Sequence, residues 1–287
     1  MARQGHIAGL LGATLGRLGD GIPLALTLDA ITFFVVAMTL FFSYIPSPQR
    51  TDLRSSDGKK TKSYWADIKE GVQYIVRRRP LLWLLASFTV ANLVTGTRGV
   101  FNPLIVKFDL AADWSGRGFT FETALALLNI MLGFGGLAGS IFVSAWGGLR
   151  RRRVYGVIVP MIVSSFAQIL FGFSPWIYVS AGLSFVFVAM TPVLNAHSQA
   201  IWQAQTPHEL QGRVFAVRRL IAQCTAPLGA LLAGATGGVL NPGLVLAALG
   251  GFMFLFCIWQ LFNPQLLHVE DNAYLESLAA QYRQRPA

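Results

Sequence analysis

The chain has 287 residues, of which 54% are apolar and only 13% charged, and its mean hydropathy is +0.53. A soluble globular domain carries about 25% charged residues, so this composition excludes an ordinary water-soluble protein. The net charge of +10 would suit nucleic acid, but the basic residues sit in short stretches between long apolar blocks, which is the positive-inside pattern of a membrane protein and not a nucleic-acid footprint.

Seven blocks approach the roughly 20 apolar residues that cross a bilayer core of about 30 Å. They are 23–45, 81–106, 121–146, 154–174, 176–202, 215–239 and 243–263. Lipid offers no partner for free N–H and C=O groups, so each must be helical. The expected fold class is an all-α membrane protein with seven transmembrane helices. Cys224 and Cys257 both fall inside apolar blocks, where they act as small core residues and not as a disulfide framework.

Before the first block, residues 7–15 are apolar and glycine-rich. Nine residues reach only about 14 Å as a helix, too short to cross, and they read as the end of a helix that begins upstream, with a genuine start on the outer side as the alternative. The first residues lack the charged start and small-residue cleavage site of a signal peptide. The first block contains Asp29, a possible intramembrane acid, for which structural capping or pairing is the competing role.

The connection that follows has two parts. Residues 47–62 are polar and basic, with Pro48 and Gly58, and read as a linker. In 64–79, Trp65, Ile68, Val72 and Ile75 recur at three- and four-residue spacing among Asp67, Lys69, Glu70 and Arg77. That pattern predicts an amphipathic helix lying on the membrane surface, or a linker helix facing solvent.

Polar residues inside apolar spans are the usual pointers to a solute pathway. In the second block, Asn92, Thr95, Arg98 and Asn102 recur at helical spacing and predict one polar face. Arg98 would contact solute, form a gate, pair structurally or snorkel to the interface. The third block holds Gly135 and Gly139 in a G-x-x-x-G pattern, a helix-packing signal. A basic turn, Gly147-Gly148-Leu149-Arg150-Arg151-Arg152-Arg153, precedes the fourth block. In the fifth block Asn195 and Gln199 share a face with Trp202, and Pro192 is a candidate kink.

The most specific local signal is Thr206-Pro207-His208-Glu209-Leu210-Gln211-Gly212-Arg213-Val214. Thr206 suits an N-cap, Pro207 the first helical position, and Glu209 a capping box. Glu209 and Arg213 are also spaced for an i,i+4 ion pair. A short helix is expected here, leading into the sixth block, where Gln223 is a further pathway candidate and Ala226, Ala230 and Gly234 form a small-residue stripe. In the tail, Leu275, Leu278 and Tyr282 weakly repeat an amphipathic pattern.

Eighteen of the 23 lysines and arginines fall in the connections 46–80, 150–153 and 213–219 and in the tail, against Arg3, Arg17, Lys107 and Arg117 on the other side. This asymmetry places the large loops and the C-terminus in the cytoplasm.

The segment 206–220, its continuation through Ala226-Pro227-Leu228-Gly229, and Leu28-Asp29-Ala30-Ile31-Thr32-Phe33 resemble the major facilitator superfamily, in the branch of macrolide efflux pumps and enterobactin exporters. The order of one span, a long basic loop with a surface helix, then six spans is similar too. The resemblance implies twelve helices in two six-helix halves. Residues 1–46 would be the end of the N-terminal half with its sixth helix, 47–80 the cytoplasmic linker, 81–264 the C-terminal six-helix bundle and 265–287 a cytoplasmic tail. It further implies proton-driven efflux of a small amphipathic, drug-like or siderophore-like solute across the plasma (inner) membrane by alternating access. The implied partners are the solute, protons, the bilayer and an N-terminal half or partner chain. A truncated or split half without transport of its own is the alternative. One departure stands out: the family's glycine–aspartate–arginine loop motif has no acidic residue in its echo at 147–153. No cofactor is implied. The four histidines have no metal spacing, and neither a P-loop nor a nucleophile elbow is present, so an enzyme is not expected.

Overall fold

The computed structural model describes residues 22–43, 64–271, 273–275 and 277. The linker 47–62, the segment 7–15, Leu278 and Tyr282 lie outside the described residues. The elements are α1 (Ile22–Phe42), α2 (Tyr64–Arg77), α3 (Arg79–Phe108), α4 (Ala111–Gly116), α5 (Phe121–Trp146), α6 (Tyr155–Phe173), α7 (Ile177–Gln205), α8 (His208–Gln223), α9 (Thr225–Thr236), α10 (Pro242–Leu261) and α11 (Pro264–Leu267). All described secondary structure is helical. Among the described residues, six stretches are long and apolar enough to cross a membrane: α3, α5, α6, α7, α8 with α9, and α10. The apolar stretch Leu26–Phe42 of α1 is shorter, and α1 belongs to a compact unit distinct from residues 61–287.

The expected sixth span runs through α8 and α9, with an interruption at Cys224 alone, whose backbone stays in the right-handed helical region. Its helix ends at Gln223 and restarts at Thr225. Pro227 has no N–H to offer the Gln223 carbonyl, and a proline ring crowds the carbonyl four residues before it. The Thr225 hydroxyl bonds to the carbonyls of Ala222 (3.0 Å) and, across to α3, of Thr89 (2.8 Å). By contrast α7 runs without interruption through Pro192.

Helix pairs approach closely where small residues meet. Gly139 of α5 lies against the Ala189 carbonyl of α7, and Gly135 against that of Phe185, with no room for a Cβ at either. This fits the expected packing role of the G-x-x-x-G pattern. Gly96 of α3 is similarly close to Ala226 of α9. In the second small-residue stripe, Gly234 meets nothing within 4 Å, so its role is confined to the end nearer α8. Large apolar side chains such as Phe134, Leu137 and Ile141 of α5 are exposed on the far side, as expected where the solvent is lipid.

Two apolar cores form along the bundle. One gathers Leu81, Leu84, Val94, Met161, Trp202 and Val217 near the end where the arginine-rich turns lie. The other gathers Phe101, Ile105, Leu128, Phe171, Ile177 and Leu246. Between them on α3, α6 and α7 lies a buried polar belt containing Arg98, Gln168 and Ser184. At the far end, α4 was not foreseen from the sequence. Its Asp113 binds Arg117 at 2.9 Å and accepts from the Ile177 N–H at 2.8 Å, so it satisfies a free donor at the start of α7. The Arg117 bond, then the Ile177 N–H, holds the Asp113 carboxyl below its usual range.

Candidate functional site

The four polar positions of α3 do not stay on one face. Asn92 is half-buried and donates to the Phe88 carbonyl at 2.8 Å; Thr95 is exposed and bonds back to Ala91 at 2.9 Å. Arg98 and Asn102 turn inward and are 3% and 8% exposed. Spacings of three, three and four spread the residues over about a third of the helix circumference at 3.6 residues per turn. That is wide enough for the packing of α6 and α7 to divide them.

Arg98 does not snorkel. It donates to Gln168 Oε1 on α6 and, at 2.7 Å, to Ser184 Oγ on α7. Its guanidinium lies over the rings of Phe171 (4.2 Å) and Phe187 (4.5 Å). No carboxylate lies within ion-pair distance of it among the described residues. Neutral dipoles and two aromatic faces therefore carry the charge. Sequence reading missed Gln168 and Ser184; the signal available was their polarity inside the fourth and fifth blocks.

On α7, Asn195 and Gln199 are exposed whereas Trp202 is fully buried, so the expected shared face is divided here too. Arg218 of α8 gathers this region. Its guanidinium donates to Gln199 Oε1 (2.9 Å) and Ser198 Oγ (3.0 Å) and lies over Trp202 (5.0 Å) and, further off, Phe88 of α3 (5.8 Å). From the sequence Arg218 had only a topological role. Gln223 is exposed one and a half turns further along α8. Among the described residues no hydrogen bond joins Thr95, Asn195 and Gln223 to one another, and each is exposed on its own helix. Asp29 is exposed on α1, where its backbone carbonyl accepts from Thr32 Oγ1 at 2.7 Å.

The 206–214 motif folds differently from its expected form. Thr206 ends α7, and α8 starts at His208 with Pro207 as the N-cap and no side-chain cap. Gln211 Nε2 donates instead to the Thr206 carbonyl at 3.1 Å. A capping box does form elsewhere, between Thr120 and Thr123 at the start of α5. Arg213 turns away from Glu209 and binds Asp67 (2.9 Å) and Glu70 (2.6 Å) of α2. Two carboxylates on a facing helix form a better fork for a guanidinium than one partner on its own helix. Gly212 is exposed with open space beside it.

The expected surface helix α2 is thus docked on α8 along one side. Ile75 is buried and Gly71 fits against the Arg213 carbonyl. Tyr74 Oη donates to the Gln205 carbonyl, and Arg78 lies over its ring at 4.0 Å. Burial pushes the Tyr74 phenol up, with Arg78 acting against it. Trp65, at 78% exposure, remains free on the other side.

The α5–α6 turn, which lacks an acid of its own, borrows one. Glu270, just after α11, accepts from the Arg153 N–H at 2.7 Å. His197 of α7 accepts from the Leu149 N–H at 2.8 Å through Nε2, while its Nδ1 faces the Val193 carbonyl at 2.7 Å.

A bundle of apolar helices packed through small residues, with polar strips and a buried arginine between two cores, is the build of a membrane carrier. The profile of the Major Facilitator Superfamily matches residues 5–223, and the chain belongs to that family of membrane transporters. It is 26% identical over 202 residues to the "Uncharacterized MFS-type transporter YkuC" of Bacillus subtilis (strain 168), covering 68% of this chain and 44% of that protein. To the "Putative bacilysin exporter BacE" of the same organism it is 25% identical over 274 residues, 94% of this chain and 64% of the relative. To the "Multidrug efflux pump Tap" of Mycolicibacterium fortuitum it is 26% identical over 273 residues, 92% and 60%. The chain therefore spans less than two thirds of the length of these relatives. No solved structure matches it.

Proposed function

We propose that this chain supplies the C-terminal half, with one preceding helix, of a secondary efflux transporter. The assembly would exchange protons for a small amphipathic, drug-like or siderophore-like solute by rocking of two halves about a midplane site. The observation that carries this reading is the set of exposed polar residues on otherwise apolar spans: Thr95 on α3, with the half-buried Asn92 one turn before it, Asn195 and Gln199 on α7, and Gln223 on α8. Such groups require water, solute or protein, not lipid. The exporter and efflux-pump names of two relatives support the direction. Arg98 stands behind the strips and orders α3, α6 and α7. Asp29 is the candidate proton carrier, and Arg218 sets the position of Gln199. Positive-inside asymmetry supports a multi-pass plasma (inner) membrane protein with a cytoplasmic C-terminus.

A second reading is that the chain alone carries no flux, favoured by its span of 44–64% of the relatives' length. Both readings meet in one experiment. The chain is reconstituted in liposomes, alone and with a co-expressed segment equivalent to the family's first five helices, and dye efflux is followed under an imposed proton gradient. Flux is expected only from the pair, and N195L with Q199L should reduce it about tenfold or more, the cost of one or two lost solute hydrogen bonds. Full flux from the leucine variant removes these strips from the pathway. Absence of gradient-driven flux from the pair overturns the transport reading.

A further inference from the structure

A cavity of about 300 Å³ opens beside the α5–α6 turn, with Val143, Gly148, Arg150, Arg153, His197 and Ala200 among its walls. The backbone shapes it. Gly147 and Gly148 have φ of 76° and 72°, and Arg152 has φ of 53°. Glycine takes this left-handed region at little cost, whereas other residues visit it singly and under strain. The result is a turn that brings Arg150 and Arg153 to one cavity while Arg151 and Arg152 form no part of its wall.

His197 holds the turn in place. The Leu149 N–H and the Val193 carbonyl occupy its two ring nitrogens, and Gly148 and Gly156 leave no space between backbone and ring. The imidazole is therefore a wall and has no further hydrogen bond to offer. Besides the Ser144 hydroxyl, the polar side chains left to the cavity wall are cationic. Four consecutive arginines are offset, among the described residues, by Glu270 alone, which accepts from the Arg153 N–H and lies 3.9 Å from its guanidinium. Arg150 is exposed and makes no hydrogen bond or ion pair among the described residues.

The cavity sits where two membrane-length helices meet a polar turn. It also adjoins an apolar surface: the Trp146 ring lies tilted against His197 at 5.7 Å and against Phe142 at 5.5 Å. Both aromatic side chains are about half exposed. A cationic hollow beside an exposed aromatic ledge fits a molecule with an anionic head and an apolar body. We propose that this cavity binds the headgroup of an anionic phospholipid. Arg150 and Arg153 take the phosphate oxygens, for which a guanidinium offers paired donors. Trp146 and Phe142 lie along the glycerol and upper acyl chain, where amphipathic and apolar rings are favoured. The site rests on the membrane-spanning assignment of α5, α6 and α7 and is independent of what the protein transports.

The test is native mass spectrometry of the chain released from nanodiscs of mixed phosphatidylcholine and phosphatidylglycerol. The wild type should retain one phosphatidylglycerol. Removing two charges in R150Q/R153Q should weaken retention about thirtyfold, at about 1 kcal/mol per basic residue. The R151Q/R152Q variant carries the same net charge and should retain lipid like the wild type. R150Q alone, at an exposed side chain without protein partners, should show about half the effect on a logarithmic scale. Equal losses in the two double variants would show diffuse attraction and overturn the site. So would displacement of the lipid by inorganic phosphate, which would mean that a free anion and not a lipid is the occupant.

Discussion

The junction of α3, α6 and α7 and the seam between α2 and α8 each turn on one arginine, and they hold its charge in opposite ways. Arg98 is 3% exposed and is met by an amide oxygen, a hydroxyl and two phenyl rings. The Arg213 side chain is 27% exposed and is met by the carboxylates of Asp67 and Glu70. Inside a span, a carboxylate partner would be a second ion to desolvate, and its attraction repays that cost only in excellent geometry. Neutral acceptors and aromatic faces bring no such second penalty. At the wet end the desolvation is slight, but the pair is also weak. Arg98 is therefore a costly joint to remove among three helices, whereas the Arg213 ion pairs add little to a seam that Ile75, Gly71 and Tyr74 also hold.

Substitutions in three regions tell the two arrangements apart. The largest effect is expected for Arg98→Ala, which strips hydrogen bonds from Gln168 and Ser184 and leaves a gap between two rings. A loss of about 2–4 kcal/mol is expected, read as a lower unfolding temperature in detergent. In the proposed transporter, efflux should fall with it. Arg98→Lys keeps the charge without the planar fork and should recover only part. An Arg98→Ala protein as stable and active as the wild type would show that the buried joint holds nothing.

Gly139→Ala tests whether the same rigid block depends on backbone contact. The new methyl meets the Ala189 carbonyl, and overpacking should cost about 1–3 kcal/mol. Gly133 lies on the same helix with nothing within 4 Å. Gly133→Ala should be neutral or stabilising by up to about 1 kcal/mol, from helix propensity. Equal effects of the two changes would mean that α5 and α7 are not in close contact.

The smallest effect is expected at the α2–α8 seam. Arg213→Ala should cost about 1 kcal/mol or less because both ion pairs are partly solvated, and the loss should shrink further in high salt. Glu209→Ala should change nothing measurable, since Arg213 does not bind Glu209. Salt-dependent stability that follows Glu209 and not Asp67 or Glu70 would return Arg213 to its own helix.

The helices and their approximate bounds were legible in the residues, because run length and apolarity are local properties. The third block, 121–146, coincides with α5, and the amphipathic pattern after residue 63 became α2. Pro227 also stood in plain view as a reason for the sixth span to break at Cys224. The packing role of Gly135 and Gly139 could be read from their spacing alone. Less legible was the 206–214 motif. Its capping residues satisfied a local rule, yet the chain stayed helical until Gln205 and α8 started without a side-chain cap.

The residues alone specify an all-helical chain of membrane-length apolar segments, their order, and where polarity falls within them. What each polar residue meets is set by the packed bundle. Helical spacing fixes the direction of a side chain about its own axis, but the partner comes from an element 70 or more residues away. Gln168 reaches Arg98 in this way, Asp67 and Glu70 reach Arg213, and Glu270 reaches the acid-free turn at Arg153. Neither Arg218 nor His197 differs in local pattern from an ordinary loop cation or core histidine. Their roles arise because close packing brings α7 against α8 and against the α5–α6 turn, and that juxtaposition is a property of the assembled bundle.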